Sequence, residues 1–161
     1  MTVREYNKSV KEYGDHVYRF IYRSLKDSGR AADIVQDNYE KLWMNVKEIE
    51  YEAVKSWLFT AAYNRMIDVI RKDSRLVMVE FYDDSSLYAE ENKSDINELL
   101  HNALQKLPPA QRSVILLRDY EGYSYKEIGD ITGLSEAQVK IYIFRGRVAL
   151  RNILVKTSVW Q

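Results

Sequence analysis

Residues 135–156 combine a polar start with a cluster of cations, a pattern suited to binding nucleic acid. The segment holds five bases and one acid, although the whole chain has 24 of each and no net charge. Lysine and arginine hold phosphates, whereas polar side chains near a helix start can read base edges. On a helix, the outward positions are Glu136, Gln138, Lys140, Ile141, Phe144, Arg145 and, farther along, Arg147. The alternative is a solvated helical hairpin whose cations only complement the helix C-terminus.

Two helix starts lie at and just before this segment. Each has a serine followed three residues later by a glutamate or glutamine, the capping-box pattern, and the pairs are Ser124 with Glu127 and Ser135 with Gln138. Gly133 lies between the two helices and suits a tight turn, while Gly129 has no side chain and would let a second helix cross closely. A short helix, a glycine turn and a longer helix predict a helix-turn-helix.

Two upstream segments also predict amphipathic helices with a distinct polar face. In "AADIVQDNYEKLWMNV", an apolar stripe that includes Trp43 opposes a mainly acidic stripe, which consists of Asp33, Gln36, Asp37 and Glu40. In "SWLFTAAYNRMIDVIRKDSR", the outward line runs from polar to basic and consists of Thr60, Asn64, Asp68, Arg71, Lys72 and Arg75. The acidic stripe could instead be a solvated surface without a partner. Asp68 and Arg71, in the second segment, could instead form an ion pair with each other.

Helical periodicity divides the chain into two parts. It fails in "LVMVEFYDDSSLYAEENK", which holds five acids and one base, and resumes at Ser94. We therefore predict an all-α protein with two small helical domains, residues 1–75 and 94–161, joined by a flexible acidic linker, residues 76–93. In the second domain, Pro109 and Gly122 predict the start and the end of one helix.

The composition argues against an enzyme. There is no cysteine, which excludes disulfides, thiol catalysis and zinc sites built on thiolates. His16 and His101 are isolated and no phosphate-cradling glycine loop is present, so we expect no catalytic site, metal or cofactor. The N-terminus lacks the apolar segment of a secretory signal, and the longest apolar runs are too short to span a bilayer. We expect a cytoplasmic protein without membrane insertion.

Taken together, the two halves resemble a bacterial sigma factor of the extracytoplasmic function (ECF) type, group 4 of the sigma-70 family. "AADIVQDNYEKLW" is similar to this family's region 2.2, "WLFTAAYNRMIDVIRKDSR" to its regions 2.3 and 2.4, and "LPPAQRSVILLRDYEGYSYKEIGDITGLSEAQVKIYIFRGRVALRNIL" to its region 4. The order and spacing of these segments and the chain length also fit this group, which keeps only domains 2 and 4. The resemblance implies a protein that binds core RNA polymerase and directs promoter-specific transcription initiation.

The resemblance also implies protein partners. In the family, the polar face of region 2.2 docks on the clamp helices of the polymerase's largest subunit, and here that face consists of Asp33, Gln36, Asp37, Glu40 and Lys41. An acidic face and a basic helix pair are electrostatically complementary. The flap of the second-largest subunit and an anti-sigma factor are the further partners that the family implies. The acidic linker would thread through the polymerase's active-centre cleft and RNA exit path, or would be a solvated tether only.

Promoter DNA is the ligand that the resemblance implies for two further surfaces. Residues 47–55 correspond to a loop that captures a base flipped out of the −10 element, and the candidates for the base and the melted strand are Trp57, Asn64, Arg71, Lys72 and Arg75. A core position is the alternative for Trp57. The −35 contacts fall on Lys140, Ile141, Phe144 and Arg145, with Glu136 and Gln138 near the helix start and Arg147 beyond. Departures from the family pattern at Gly129, "EAQVK" and Tyr142 leave the −35 preference open.

Two other classes of protein are also consistent with the residues alone. A stand-alone helix-turn-helix regulator would use its first half for dimerisation or sensing and would bind a duplex operator tightly, often as a dimer. A helical interaction protein would bind no DNA. Because both halves resemble the sigma family and the total charge is zero, we expect the free chain to bind promoter duplex weakly and to gain specificity only on core polymerase.

Overall fold

The computed structural model describes residues 1–79 and 96–159, with side chains over residues 1–74 and 96–156. Within these ranges the chain forms helices and turns and no β-strand, which confirms the predicted all-α class. We call residues 1–79 the N-terminal domain and residues 96–159 the C-terminal domain. The predicted linker, residues 76–93, begins inside a helix that continues to Val79. Residues 80–93 lie outside the described residues.

In residues 1–79, three helices and one short turn build the N-terminal domain. They are α1 (Val3–Leu25), α2 (Ser28–Met44), a 3₁₀ turn (Tyr51–Ala53) and α3 (Val54–Val79). A capping box between Thr2 and Glu5 begins α1, and the Asp27 carboxylate accepts the Arg30 amide at the start of α2. These local signals explain where α1 and α2 begin.

The apolar faces of the three helices meet in one core. Phe20 and Ile21 of α1, and Leu42 of α2, are fully buried, as helical periodicity predicts. Two aromatic residues depart from that pattern. Trp43, assigned to the apolar stripe of α2, is 47% exposed at the end of the helix. Phe59 of α3 is fully buried between Phe20 of α1 and Tyr123 of the C-terminal domain. Helical periodicity does not place it on the inward face of α3, which it predicts to be Leu58, Ala61, Ala62, Met66 and Val69.

In residues 96–159, four helices build the C-terminal domain. They are α4 (Ile96–Gln105), α5 (Pro109–Ile115), α6 (Tyr125–Thr132) and α7 (Glu136–Val159), with a π-helical turn (Leu116–Tyr120) directly after α5. Pro109 occupies the first turn of α5, and Gly122 follows the π-helical turn with φ 75°. Both residues therefore bound this helical segment as predicted.

The predicted helix-turn-helix is formed by α6 and α7. Both capping boxes are present: Ser124 and Glu127 exchange two hydrogen bonds of 3.1 Å, and Ser135 and Gln138 exchange bonds of 3.0 and 3.1 Å. Gly133 ends α6 with φ 79°, in the left-handed region that favours glycine. At Gly129, a Cβ would lie 2.8 Å from the Leu134 carbonyl oxygen, so the close neighbour is the turn itself and not a crossing helix.

Gly133→Ala is expected to destabilise the chain by about 1 kcal/mol, because a left-handed backbone costs an L-residue roughly 1–2 kcal/mol. No atom lies within 4 Å of the added Cβ, so the change in unfolding free energy reports the cost of the left-handed backbone and not a steric clash. The matched control is Gly14→Ala in the middle of α1, where a Cβ would lie 3.8 Å from Tyr39 Oη, an ordinary contact. Because alanine favours helix by up to about 1 kcal/mol over glycine, the control should stabilise. Urea unfolding measures the stability of the two variants. If both substitutions destabilise the chain, or if neither does, the left-handed backbone at Gly133 is not the cause.

The two domains pack against each other through α3 and the segment that precedes α6. The Tyr123 ring is buried there, with its centroid 5.1 Å from that of Phe59 and 4.5 Å from the Lys55 ammonium. Burial raises the pKa of the Tyr123 phenol. Phe59 also contacts Phe20, with ring centroids 5.6 Å apart, so aromatic contacts run from one domain core into the other.

Arg112 joins the C-terminal domain to the end of α1. This residue is 7% exposed, and its Nη1 donates to the Ser24 carbonyl oxygen at 2.6 Å and to Gln105 Oε1 at 2.9 Å. Gln105 Nε2 in turn donates to the Arg23 carbonyl oxygen at 2.9 Å. Since the last carbonyls of a helix lack partners within it, side chains of the C-terminal domain cap α1. Burial lowers the pKa of Arg112, which pairs with no carboxylate in the described part of the chain.

Candidate nucleic-acid and protein interfaces

The five residues predicted to contact a protein partner all lie exposed along α2. They are Asp33, Gln36, Asp37, Glu40 and Lys41, and we call them the α2 strip. Ile34, Tyr39 and Leu42 of the same helix are buried in the core. The strip extends over roughly 12 Å of helix at 1.5 Å per residue and carries three acids and one base. Its charge therefore suits a basic partner surface.

A cleft of about 300 Å³ separates part of the α2 strip from α3. Asp33 and Asp37 line it from α2, while Arg65 and Lys72 line it from α3. Arg30 and Asp73 also line the cleft, where their ion pair joins the two helices, and this hydrogen bond raises the pKa of Arg30. The acidic strip thus borders cations of a neighbouring helix, an arrangement that the periodicity of either helix alone does not reveal.

The predicted −10 residues of α3 differ in their surroundings. Asn64, Arg71 and Lys72 are exposed, and Trp57 is half-buried against the core, between the two alternatives considered for it. Arg75 lies in α3 but outside the residues whose side chains are described. The alternative ion pair between Asp68 and Arg71 does not form; within the described side chains both residues are exposed and without a salt bridge. The exposed cations of α3 are therefore available to a nucleic-acid strand.

The seven predicted DNA-reading residues of α7 are all exposed. Two of them are apolar: Ile141 is 46% exposed and Phe144 is 69% exposed. The opposite side of the helix is buried through Val139, Ile143 and Leu150, so α7 is held against its own domain by one face and presents the other to solvent. An outward helix face at the second position of a helix-turn-helix is the element that enters a DNA major groove.

Three polar residues of α7 are held by contacts within the protein. Gln138 Oε1 accepts the Ser135 amide, and the Lys140 ammonium lies 5.6 Å from the centroid of the Tyr125 ring. Arg147 donates to both carboxylate oxygens of Asp119, at 2.6 and 3.2 Å, and this pairing raises the pKa of Arg147. By contrast, Arg145 forms no ion pair in the described part of the chain. Some of the predicted DNA-contacting side chains of α7 are therefore held by contacts within the protein, whereas Arg145 is not held by an ion pair.

Several residues around these surfaces were not predicted from the sequence. Arg118 lies 4.7 Å from the Tyr125 ring centroid, and Arg23 lies 4.7 Å from that of Tyr120 across the domain interface. Arg118 Nη1 also donates to the Tyr123 carbonyl oxygen at 2.8 Å. The segment "RDYEGYSYK" was the available signal, because three tyrosines among cations suit cation–π contacts.

Among the described residues, neither histidine belongs to a group of side chains that could hold a metal ion. His16 is nevertheless not isolated as predicted: its Nδ1 lies 3.4 Å from Glu121 Oε2 across the domain interface and 2.9 Å from Arg19 Nη2. His101 is half-buried in α4, and burial lowers its pKa. Among the helices described, none is both long and apolar enough to cross a membrane.

Comparisons with known proteins match both halves of the chain. The family model described as Sigma-70 region 2 matches residues 9–76, and that described as Sigma-70, region 4 matches residues 97–150. The ECF RNA polymerase sigma factor SigM of Bacillus subtilis is 31% identical over 86% of this chain and 88% of SigM. The ECF RNA polymerase sigma factor SigE of Mycolicibacterium smegmatis is 30% identical over 95% of this chain, which spans only 63% of SigE.

Two solved structures share the fold across both domains. The sigma factor RpoE, in complex with the anti-sigma factor NepR from Bartonella quintana, aligns with a TM-score of 0.78 at 24% identity, over 94% of this chain and 98% of RpoE. CnrH, in complex with the cytosolic domain of CnrY, aligns with a TM-score of 0.73 at 23% identity, over 96% of this chain and 90% of CnrH. At these identities the likeness concerns the fold.

Proposed function

This chain belongs to the ECF class of RNA polymerase sigma factors, and we propose that it binds core bacterial RNA polymerase and directs it to promoters with a −10 and a −35 element. The observation that carries the proposal is the presence of regions 2 and 4 on one chain, each matched separately. The chain would act in the cytoplasm as a specificity subunit, with the chemistry of RNA synthesis supplied by the polymerase.

The α2 strip is the proposed contact with the clamp helices of the largest polymerase subunit. Its support is exposure together with charge: every member is accessible, and acids outnumber bases. Complementary charges across an interface accelerate encounter and disfavour wrong partners. The exposed side chains of Trp43 and Met44 extend the strip beyond Lys41 and add apolar area to it. Aromatic and methionine side chains are enriched in interface cores, which suits this end of α2 to a protein contact. The flap of the second-largest subunit is the proposed partner of the C-terminal domain.

The −10 element is proposed to contact α3 in its melted form. Arg71 and Lys72 are exposed cations that can hold strand phosphates, and Asn64 is an exposed group that can hydrogen-bond to a base. Trp57 keeps part of its ring accessible while the rest packs on the core, so a base stacked on it would meet a fixed surface. Arg75 remains a proposed contact from its position in the helix.

The −35 element is proposed to bind α7 through its major groove. Arg145 is the cation for a phosphate or a guanine edge, since it is exposed and unpaired in the described residues. Arg147 is bound to Asp119, so its proposed role is to hold α7 against the π-helical turn at the angle that the groove requires. Glu136, Gln138 and Lys140 remain candidates at the helix start.

The closed arrangement of the domains must open for this function. In the structure α6 packs directly on α3, and a compact chain of this length has a radius of gyration of only about 15 Å. The positions −10 and −35 are about 25 base pairs apart, or roughly 85 Å at 3.4 Å per base pair. One chain cannot contact both while Tyr123 remains against Phe59. We propose that binding to polymerase and promoter separates the domains.

An anti-sigma factor is the proposed inhibitory partner. RpoE and CnrH share this fold, and both are known in complex with another protein, NepR and the cytosolic domain of CnrY respectively. A protein that holds the two domains together would prevent simultaneous contact with the −10 and −35 elements for the geometric reason just given.

Promoter-specific run-off transcription with purified core polymerase tests the proposed function. The chain should bind core and support initiation at a subset of promoters in a genomic library, and core alone should not initiate there. A chain that neither binds core nor supports initiation at any promoter would refute the proposal. Tight binding of the free chain to a duplex operator as a dimer would indicate a stand-alone regulator instead.

Arg145→Ala is expected to weaken −35-dependent promoter binding by the holoenzyme about tenfold and to lower its salt dependence by about one phosphate contact, because an unpaired cation is lost. Arg147→Ala should lower the salt dependence less, since that guanidinium is already paired with Asp119. Arg4→Ala, an exposed arginine at the start of α1, is the matched control and should change neither quantity. Promoter affinities measured over a range of salt concentrations compare the three, and an equal effect of Arg145→Ala and Arg4→Ala would contradict the assignment.

A further inference from the structure

We propose that α7 reads thymine methyl groups in the −35 element, with Ile141 and Phe144 as the reading side chains. The inference rests on the proposed −35 function and adds the chemical class of base edge that this helix selects. Thymine alone among the four bases presents a methyl group in the major groove, at C5, and apolar side chains contact it.

The exposure of these two residues is the first observation. Ile141 and Phe144 are 46% and 69% exposed, on a helix whose other face is fully occupied by its own domain. Neither residue is needed to hold α7 in place, since Val139 and Ile143 supply the buried contacts. Large apolar side chains clustered on a surface commonly indicate an interaction site.

The engagement of the neighbouring polar residues is the second observation. Gln138 uses its side-chain oxygen in the capping box, and Lys140 lies over the Tyr125 ring. Arg147 is held by Asp119. The groups of this helix that remain for hydrogen bonds to bases are few, chiefly Arg145, Glu136 and the side-chain amide nitrogen of Gln138. The remaining surface that can meet a base edge is apolar.

The position of the two residues along α7 is the third observation. Ile141 lies six residues after the cap Ser135, or roughly 9 Å along the helix, and Phe144 follows one turn later. The N-terminal part of a recognition helix is the part that reaches base edges. Val148 is also exposed on this side but lies one further turn away from the N-terminal part of the helix. We therefore assign reading to Ile141 and Phe144 and not to Val148.

Replacing thymine by deoxyuridine, one position at a time on each strand of the −35 element, tests the proposal. The probe is a duplex promoter bound by the holoenzyme, and the two bases differ only in the methyl group. Burial of one methyl group corresponds to about a fourfold change in affinity, so we expect about fourfold weaker binding at one or two positions. Where cytosine replaces a sensitive thymine, 5-methylcytosine should bind more tightly than cytosine.

Side-chain variants assign each sensitive position to its reader. In Ile141→Ala holoenzyme the deoxyuridine penalty should vanish at one position, and in Phe144→Ala holoenzyme at a neighbouring one. Val148→Ala removes a similar exposed apolar side chain and should keep both penalties. For each variant, the affinity for the thymine duplex is divided by that for the matching deoxyuridine duplex. A general loss of affinity or of folding lowers both affinities and leaves this ratio unchanged.

Three results would overturn the inference: equal binding to thymine and deoxyuridine everywhere, penalties unchanged in both variants, or unchanged promoter binding by the Ile141→Ala and Phe144→Ala holoenzymes. The last would assign the apolar surface to a protein contact. Failure of the −35 function itself is distinguishable, because the wild-type holoenzyme would then bind equally well when the whole −35 element is replaced by unrelated sequence.

Discussion

The double variant Arg112→Ala/Tyr123→Ala is expected to separate the two domains, raising the radius of gyration by several ångströms from roughly 15 Å, the value for a compact chain of this length. Tyr123 supplies the aromatic contact with Phe59, and Arg112 caps the last carbonyls of α1. Removing both leaves a cavity and an unpaired Ser24 carbonyl at the interface, and each of these costs typically 1–3 kcal/mol or more. Small-angle X-ray scattering measures the change.

Tyr22→Ala is the control for loss of a tyrosine. That ring is exposed and stacked on Tyr18, away from the Phe59 contact, so its removal should leave the radius of gyration unchanged. Circular dichroism should show that the double variant keeps its helices, which distinguishes separation from unfolding. Lys55→Ala, which removes only the cation over the Tyr123 ring, should open the chain to a smaller extent. A double variant that stays both helical and compact would show that other contacts hold the domains together.

Separation of the domains also has a functional consequence. A chain that must open before it contacts both promoter elements loses apparent affinity in proportion to the closed population. Holoenzyme containing the double variant should therefore bind promoter more tightly than wild type, provided that the domains remain folded. Because the chain must open only to contact both elements at once, this gain in affinity should disappear on a promoter that lacks the −35 element.

Most of the fold follows from local sequence signals. The capping boxes at Ser124 and Ser135, and the glycine at position 133, act between residues at most four apart, so they can be recognised without a structure. Periodicity likewise identifies Phe20 and Leu42 as core residues. The domain interface could not be predicted in this way. Phe59 is buried between Phe20 and Tyr123, and no local pattern joins it to Tyr123, which lies 64 residues later.

For the candidate sites too, features set by local spacing could be predicted and contacts between distant segments could not. Exposure of the α2 strip and of the outward side of α7 follows from helical spacing, and the structure agrees. The pairing of Arg147 with Asp119 and the contact of Lys140 with Tyr125 join residues on different helical segments. These contacts engage two of the exposed cations of α7 within the protein, and helical spacing alone does not reveal them.

Asp37→Lys is expected to weaken binding to core polymerase by about 50-fold, the second large effect. The carboxylate lies in the middle of the α2 strip and lines the cleft with Arg65 and Lys72. In the proposed interface, replacement by lysine would remove an attraction to basic clamp helices and set a cation against them, and unfavourable charge contacts in interfaces cost several kcal/mol. Fluorescence anisotropy of labelled chain titrated with core measures the affinity.

Asp15→Lys makes the same charge change on α1, where Asp15 is exposed and outside the strip, and it should leave core affinity within about twofold of wild type. Arg145→Ala should likewise spare core binding, because α7 is proposed to contact DNA. The Asp37→Lys defect should also be larger at low salt than at high salt, since screening weakens the interaction that the substitution reverses. Loss of core binding by Arg145→Ala with normal binding by Asp37→Lys would exchange the roles proposed for α2 and α7.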